Sequence, residues 1–575
     1  MEQISAFGEN SKKSEKQRPV FGIDLGTTNS AISVIREGNA PETIRLTSGK
    51  YTMPSCVMYD HGKIVVGDEA YKHRDQENTV YSVKRHMQDP NAIVKVRDCN
   101  EHLELKPEEV SAEILKGLVE QTGGLYGEIK DVVVTVPAYF DQNGVSATKR
   151  ACELAGLNVI GIANEPTAAS LCYDLKPEDG GKKDVVVYDL GGGTFDITLM
   201  RITNGKSADA GLASIYGFDT EASSNDSEHS VVTLSIDGDT HLGGDDIDEA
   251  LLQIVGEKLR DQYHIDMSLF TSRELESMKL RLEQFKKMNV ETSMYQFHVD
   301  TIDKTGRHVE AQIMIKPDDF RDSAMRIFEK SKIIVDRLLR SVSNDADTIV
   351  LTGGSTKNYW IRRAIAAAYP SMHVDDALSP DLSVSQGAAI QGKVTKFGDS
   401  GIKIFDILPI TVGVKDSDGR MVPMIPKATS LPTVKSLTFT TDEDNQKCVT
   451  VELLQGNSVY ADECVSLGKL HIDGIEPKPA GVPDLAVSVS ISADRIMHCI
   501  ATIDGKREEI TLDLSGETKA VEAAGDKTVR RLLRAGAHMS SENKAKLEEM
   551  VEALGSKYTV DQVKEFIRIN RNGEN

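Results

Sequence analysis

Long apolar runs are what this chain lacks most plainly. No stretch approaches the ~20 apolar residues of a membrane-crossing helix, so no membrane segment is expected. Paired cysteines are missing too. The seven present (Cys56, Cys99, Cys152, Cys172, Cys448, Cys464 and Cys499) form no C-x-x-C pair, which argues against a zinc knuckle or redox motif. Their odd number and wide spacing suit a reducing compartment. Positive charge is scarce: 67 Lys and Arg face 89 Asp and Glu, giving a net charge of -22. A surface of that sign repels nucleic acid and anionic membrane, so neither is expected as a partner; its plainer consequence is solubility. The opening stretch MEQISAFGENSKKSEKQR has neither the apolar core of a signal peptide nor the acid-poor, Arg-rich make-up of a transit peptide. Residues 1–18 therefore read as a disordered tail on a cytoplasmic protein.

What the chain does have is length and alternation. Its 575 residues exceed the ~250–300 at which single cores stop growing, so several domains are expected. Over 19–398, apolar strands alternate with helical patterns, an α/β grammar. DVVVTVPAY reads as a buried strand, and the helix after it has Asp141 as N-cap and Gly156 as its stop. LNVIGIA is the next strand, and Pro166 opens the following helix. The stretch 203–230 is small, polar and aperiodic, the pattern of a loop or hairpin tip. Residues 399–407 form a short bridge. Over 408–515 the period becomes two: in DLAVSVSIS, Leu485, Val487, Val489 and Ile491 share one face, which predicts an all-β domain. Helical spacing returns over 516–575.

One local pattern occurs twice. PVFGIDLGTTNSAISVI carries a strand ending in Asp24, a turn with Gly26, Thr27 and Thr28, and a returning strand. DVVVYDLGGGTFDITLM repeats it with Asp189, Gly191, Gly192, Gly193, Thr194 and Asp196. Glycine in a tight turn lets backbone N–H groups approach an anion, and threonine hydroxyls add donors. One such turn is commonly only structural. Two behind strand-ending aspartates predict two pseudo-equivalent lobes gripping one polyphosphate, with Asp24, Asp189 and Asp196 facing a cation such as Mg²⁺. A P-loop does not fit NGKS at 204–207, because Met200 stands where the earlier glycine belongs. A third turn, Gly353, Gly354 and Ser355, sits between a strand and a helix, where it suits a ribose or α-phosphate.

GIDLGTTNS, VPAYF, NEPTAAS, DLGGGTFD, THLGGDDID, LTGGSTK and SPDLSVSQGAA resemble, in order, the ATPase motifs of the DnaK-type heat-shock chaperones of the seventy-kilodalton class. The resemblance covers about 19–515 and includes ILPITVGV and DNQKCVTVELLQG of a β domain. It implies a multidomain fold: a two-lobed, actin-like α/β ATPase, an all-β sandwich that binds extended peptide, and a short helical lid. The implied ligands are ATP and Mg²⁺, with K⁺ as a further cation the family allows. Thr27, Thr28 and Asn29, with Gly26, would form one phosphate loop, and Gly191, Gly192, Gly193 and Thr194 the other. Asp24, Glu165 and Asp189 would surround the Mg²⁺ waters, Asp196 would orient the attacking water, and Lys84 would sit at the γ-phosphate. A solvated lysine is the plain alternative there. Gly243, Gly244, Gly353, Gly354, Ser355, Lys357 and Asp381 would line the nucleotide, with Glu283, Lys286 and Lys287 reaching toward the base. Val414, Phe439, Val449 and Val451 match the family's peptide pocket, against ordinary core alternation as the competing account. Pro137 and Asp406 match its allosteric positions.

The chain also departs from the family. Val145 and Gly161 stand where coupling and J-domain-docking arginines are usual. The linker IKIFD carries Lys403 inside an apolar run, and the lid is short. The implied activity is a weak ATPase that drives binding and release of unfolded or extended client polypeptides. A dedicated J-domain cochaperone and a nucleotide exchange factor are its implied partners. Weak ATP–peptide coupling and fast peptide release are expected. The competing readings are a nucleotide-dependent scaffold or exchange factor, and an actin-like filament protein, which would not need 408–515.

Overall fold

The computed structural model describes residues 19–36, 40–98, 101–172, 181–204, 229–288, 294–342, 346–375, 379–397, 402–492, 495, 497–512, 546 and 550. The tail 1–18, most of the 203–230 stretch and all but two residues of 516–575 lie outside them.

Two six-stranded sheets repeat one local plan. In the first, Val20–Asp24 pairs antiparallel with Asn29–Ile35 and parallel with Asp131–Val136. In the second, Lys182–Leu190 pairs antiparallel with Phe195–Asn204 and parallel with Thr348–Thr352. Each hairpin is thus flanked by a parallel strand on the same side, the topological form of the repeat read in the sequence. The strands are apolar nearly throughout because both faces are covered. Val132, Val134 and Ile23 enter one core; Val186, Tyr188 and Leu351 enter the other.

The helix Ser383–Phe397 runs between the sheets, against Val20–Asp24 and the helix Glu165–Cys172. Small residues permit that approach. A Cβ on Gly387 would stand 1.7 Å from Ala168 O, a backbone atom with no room to yield. Gly387→Ala is therefore expected to destabilise this half by about 3 kcal/mol, the upper end of overpacking costs. The check is the urea midpoint of its unfolding transition. An unchanged midpoint would mean that the helix can move away freely.

The expected all-β part is a sandwich of two four-stranded antiparallel sheets. One runs Met421–Ile425, Val412–Lys415, Cys448–Gln455, Val465–Asp473; the other runs Thr433–Phe439, Leu485–Ile491, Met497–Ile503, Lys506–Leu512. Leu485, Val487, Val489 and Ile491 all face its core, as period two predicts.

The bridge between the halves differs from a plain linker. Ile402–Phe405 is itself the edge strand of the second sheet, paired parallel with His229–Asp239, Val231 opposite Ile404. Asp406 follows it and contacts both sides. It accepts from Asn164 of the first half and from Arg495 of the sandwich, the latter at 3.2 Å. Arg495 is buried in the turn after Leu485–Ile491 and holds a left-handed φ of 61°. A second contact joins Gln142 N to Gln455 Oε1 at 2.8 Å.

Candidate active site

The repeated hairpins meet. Asp24 ends the first strand, and Asp189 lies directly opposite Asp196 in the second hairpin. A Cβ on Gly192 would stand 1.7 Å from Thr28 Oγ1, and one on Gly193 would stand 2.3 Å from Arg85 Nε. Only glycine lets the second turn come this close to the first lobe. Glu165 enters at the switch from the strand Asn158–Asn164 to the helix Glu165–Cys172. Lys84 rises from a single helical turn, Val83–His86, entered through Ser82 at φ 53°. It is not a solvated lysine: its side chain is 4% exposed and its Nζ lies 2.5 Å from Glu165 Oε1. Thr135 donates to Asp24 at 3.2 Å. Four predicted carboxylates and Lys84 thus share one buried floor.

Electrostatics define what the floor accepts. Burial, then neighbouring Glu165, pushes Asp24 up to about 7. Burial and Glu165 push Asp196 up to about 8, and burial with Glu165, Asp196 and Asp24 raises Asp189 well above the usual carboxylate range. One ammonium group faces four buried carboxyl groups that resist ionising together, and a divalent cation would favour their charged forms. Its donors are all oxygen, the hard set that Mg²⁺ takes. Thr28 Oγ1 and the Arg85 Nε and Nη2 atoms are buried without a hydrogen-bond partner among the described residues. Arg85 Nη2 has only the longer ion pairs to Asp245 and Asp246, so the Thr28 hydroxyl and Arg85 Nε are the donors that fit an anionic ligand between the turns.

The third glycine turn packs against the second. Gly353 holds φ 81°, and Ser355 Oγ donates to Gly191 O at 2.7 Å. Lys357 is ion-paired to Asp381. Gly243 and Gly244 open the helix Gly244–Tyr263, and Lys286 Nζ reaches Gly244 O at 2.8 Å and Asp248 at 2.6 Å. Glu283 acts across the cleft: it takes Tyr71 and Arg74 of the first lobe, each at 2.5 Å, and Lys287 at 2.7 Å. Burial would raise its carboxyl, but Lys287, Arg74 and Lys286 outweigh it and pull the group down to about 2. Tyr71, Arg74, Ser82, Arg85, Asp245 and Asp246 were not among the sequence candidates. Ser82 and Arg85 reach Asp245 across the mouth at 3.3 and 3.8 Å, and Arg85 reaches Asp246 at 3.6 Å. Arg85 stands beside Lys84 and the aspartates follow Gly244, so adjacency to a motif was the available signal.

The profile of the family described as Hsp70 protein matches residues 20–209 and 228–572. The chain belongs to the Hsp70 family. It is 32% identical over 555 residues to the protein named Chaperone protein DnaK of Mycoplasmopsis synoviae (strain 53), covering 95% of this chain and 87% of that one. The namesake of Cyanidium caldarium is 33% identical over 525 residues, covering 86% and 80%. That of Buchnera aphidicola subsp. Schizaphis graminum (strain Sg) is 31% identical over 567 residues, covering 93% and 83%. Hsp70 proteins are ATPases and bind ATP and ADP, usually with Mg²⁺. In this Hsp70 no helix among the described residues is long and apolar enough to cross a membrane.

The remaining candidates lie away from the cleft. Val414, Val449 and Val451 are buried in the sandwich core, with Phe439 packed against it. Pro137 directly follows the strand that carries Thr135 and precedes the turn that ends at Gln142. Val145 is buried in the core of the first lobe, and Gly161 pairs with Val133 in its sheet. Neither carries a group that could relay charge.

Proposed function

We infer that this Hsp70, an ATP-dependent chaperone by family, hydrolyses ATP on the floor described above and uses the cycle to bind and release extended apolar segments of client proteins. The observation that carries the reading is the buried Lys84–Glu165 pair beside the two glycine hairpins, with the Thr28 hydroxyl of the first left without a hydrogen-bond partner. Thr27, Thr28, Asn29 and Gly191 to Thr194 would hold the phosphates. Asp24, Glu165 and Asp189 would hold Mg²⁺ through its waters, and the ion, when bound, offsets phosphate charge. Lys84 would meet the γ-phosphate as charge moves there, held in place by Glu165. Asp196 and Thr194 would orient the attacking water. Gly353, Gly354, Ser355, Lys357 and Asp381 would line the adenosine side, with K⁺ as a further cation near the phosphates. Glu283 would close the cleft over the base through Tyr71 and Arg74. The test is hydrolysis by the full chain with and without Mg²⁺: ATP turnover that survives chelation would overturn it.

The sandwich would take the client by main-chain hydrogen bonds and one apolar pocket. Phe439 supports this, because it is only partly buried at the edge of a core that includes Val449 and Val451. Burying one apolar side chain is worth roughly 1.5–3 kcal/mol. Val449→Phe is therefore expected to weaken binding of a Leu-centred peptide by ~10-fold or more. Fluorescence anisotropy checks it; unchanged affinity in a folded variant would remove the pocket assignment. A J-domain cochaperone and an exchange factor would complete the cycle, the former a dedicated one because Gly161 replaces a docking side chain. The scattered cysteines support a cytoplasmic setting. Nothing in the geometry favours a scaffold or a filament.

A further inference from the structure

Three metal-binding side chains meet far from the nucleotide cleft. Cys448 and Asp473 stand directly opposite each other on the antiparallel strands Cys448–Gln455 and Val465–Asp473 of the sandwich. Two positions along, Thr450 stands opposite His471. Period two puts all four on the outer face, while Val449 and Ile472 between them face the core. Cys448, His471 and Asp473 are exposed, and one donor atom from each lies within 4.8 Å of the others.

We propose that Cys448, His471 and Asp473 form a site for a thiophilic divalent cation of the Zn²⁺ type, with a fourth position open to water. The donor set is one sulfur, one imidazole nitrogen and one carboxylate oxygen. Sulfur and imidazole select Zn²⁺ over Mg²⁺ or Ca²⁺, which take oxygen sets. One donor pair already has the spacing of a small tetrahedral ion. Bonds of about 2.0–2.3 Å put neighbouring tetrahedral donors about 3.3–3.6 Å apart. His471 Nε2 and Asp473 Oδ1 already stand 3.2 Å apart. The ring is also oriented from behind: its Nδ1 lies 2.8 Å from Thr450 Oγ1. A hydroxyl that accepts from Nδ1–H leaves the Nε2 lone pair free toward Cys448 and Asp473, the arrangement that orients metal-binding histidines elsewhere. The other described thiols, at Cys56, Cys152, Cys172, Cys464 and Cys499, are buried or half-buried, so Cys448 is the described thiol that a metal meets first. Distance in sequence hides the site: His471 is a strand away from Cys448, with no C-x-x-C or H-x-x-x-H spacing to announce it.

The test is a Co²⁺ titration of the full chain in nucleotide-free buffer with a phosphine reductant. A thiolate-to-cobalt charge-transfer band is expected, saturating at one Co²⁺ per chain, bleached by Zn²⁺ and indifferent to excess Mg²⁺. Cys448→Ser should abolish the band. His471→Ala and Asp473→Asn should each weaken Co²⁺ binding at least ~10-fold, and Thr450→Val by ~10-fold with the band shape kept, the usual cost of losing an orienting partner. All four side chains sit on the outer face, so the variants should fold, and an unchanged urea midpoint for the unfolding of the sandwich checks that independently. No band in the wild-type chain, a band that survives Cys448→Ser, or an affinity untouched by His471→Ala would each overturn the site.

Discussion

Lys84→Ala is expected to cut ATP turnover by ~10³-fold or more while leaving nucleotide affinity within a few-fold. Phosphoryl transfer leaves little covalent work to the protein, so its rate rests on positioning and on charge placed where the transition state develops it. Among the described residues Lys84 is the one ammonium group ion-paired with the acidic floor, and Glu165 holds it there at 2.5 Å. On the proposed assignment, affinity for nucleotide would draw instead on the glycine turns, the hydroxyls of Thr27, Thr28 and Thr194, and the adenosine side, none of which the substitution touches. Removing Lys84 also leaves Glu165 unpaired beside Asp24 and Asp189, which strengthens the call for a cation rather than weakening it. Single-turnover hydrolysis and equilibrium binding of a fluorescent nucleotide separate the two effects. Wild-type turnover in the variant would refute the role of Lys84. A parallel loss of binding would make its role structural.

The floor was legible where local pattern carried it. Asp24 and Asp189 each close an apolar strand run before a glycine turn, so the repeated local pattern marked both. Glu165 and Lys84 were legible only through resemblance, because the first depends on a strand-to-helix switch and the second on a single turn in an irregular stretch. The clasp of Tyr71 and Arg74 on Glu283 was not legible. It joins residues more than 200 positions apart through closure of two lobes, and no local period encodes that. Ile402–Phe405 was read as a bridge for the same reason. Four residues containing a lysine have little signature of their own, and their partner strand begins at His229, far upstream. Arg495 sits in a turn that reads as ordinary, yet it takes a backbone conformation that usually selects glycine.

That arginine bears on how the two halves communicate. Where the family resemblance implies arginines, Val145 and Gly161 carry no charge, which would argue for weak coupling. Asp406 argues for a residue of coupling, because it joins Asn164, next to Glu165 of the floor, to Arg495 of the sandwich. Gln142 to Gln455 gives a second contact, reached from Asp24 through Thr135 and the turn at Pro137. ATP is therefore expected to speed peptide release by about tenfold, or about 1.4 kcal/mol, the low end for allosteric pairs. Arg495→Gly and Asp406→Ala should each erase that acceleration. The glycine variant is the sharper test: it removes the ion pair but suits the left-handed backbone, so the sandwich keeps its fold and its intrinsic peptide affinity. Stopped-flow release of a fluorescent peptide in ADP and in ATP measures the ratio. A ratio unchanged in Arg495→Gly would show that Asp406 does not carry the coupling. A hundredfold acceleration in the wild-type chain would show that Val145 and Gly161 cost the relay nothing.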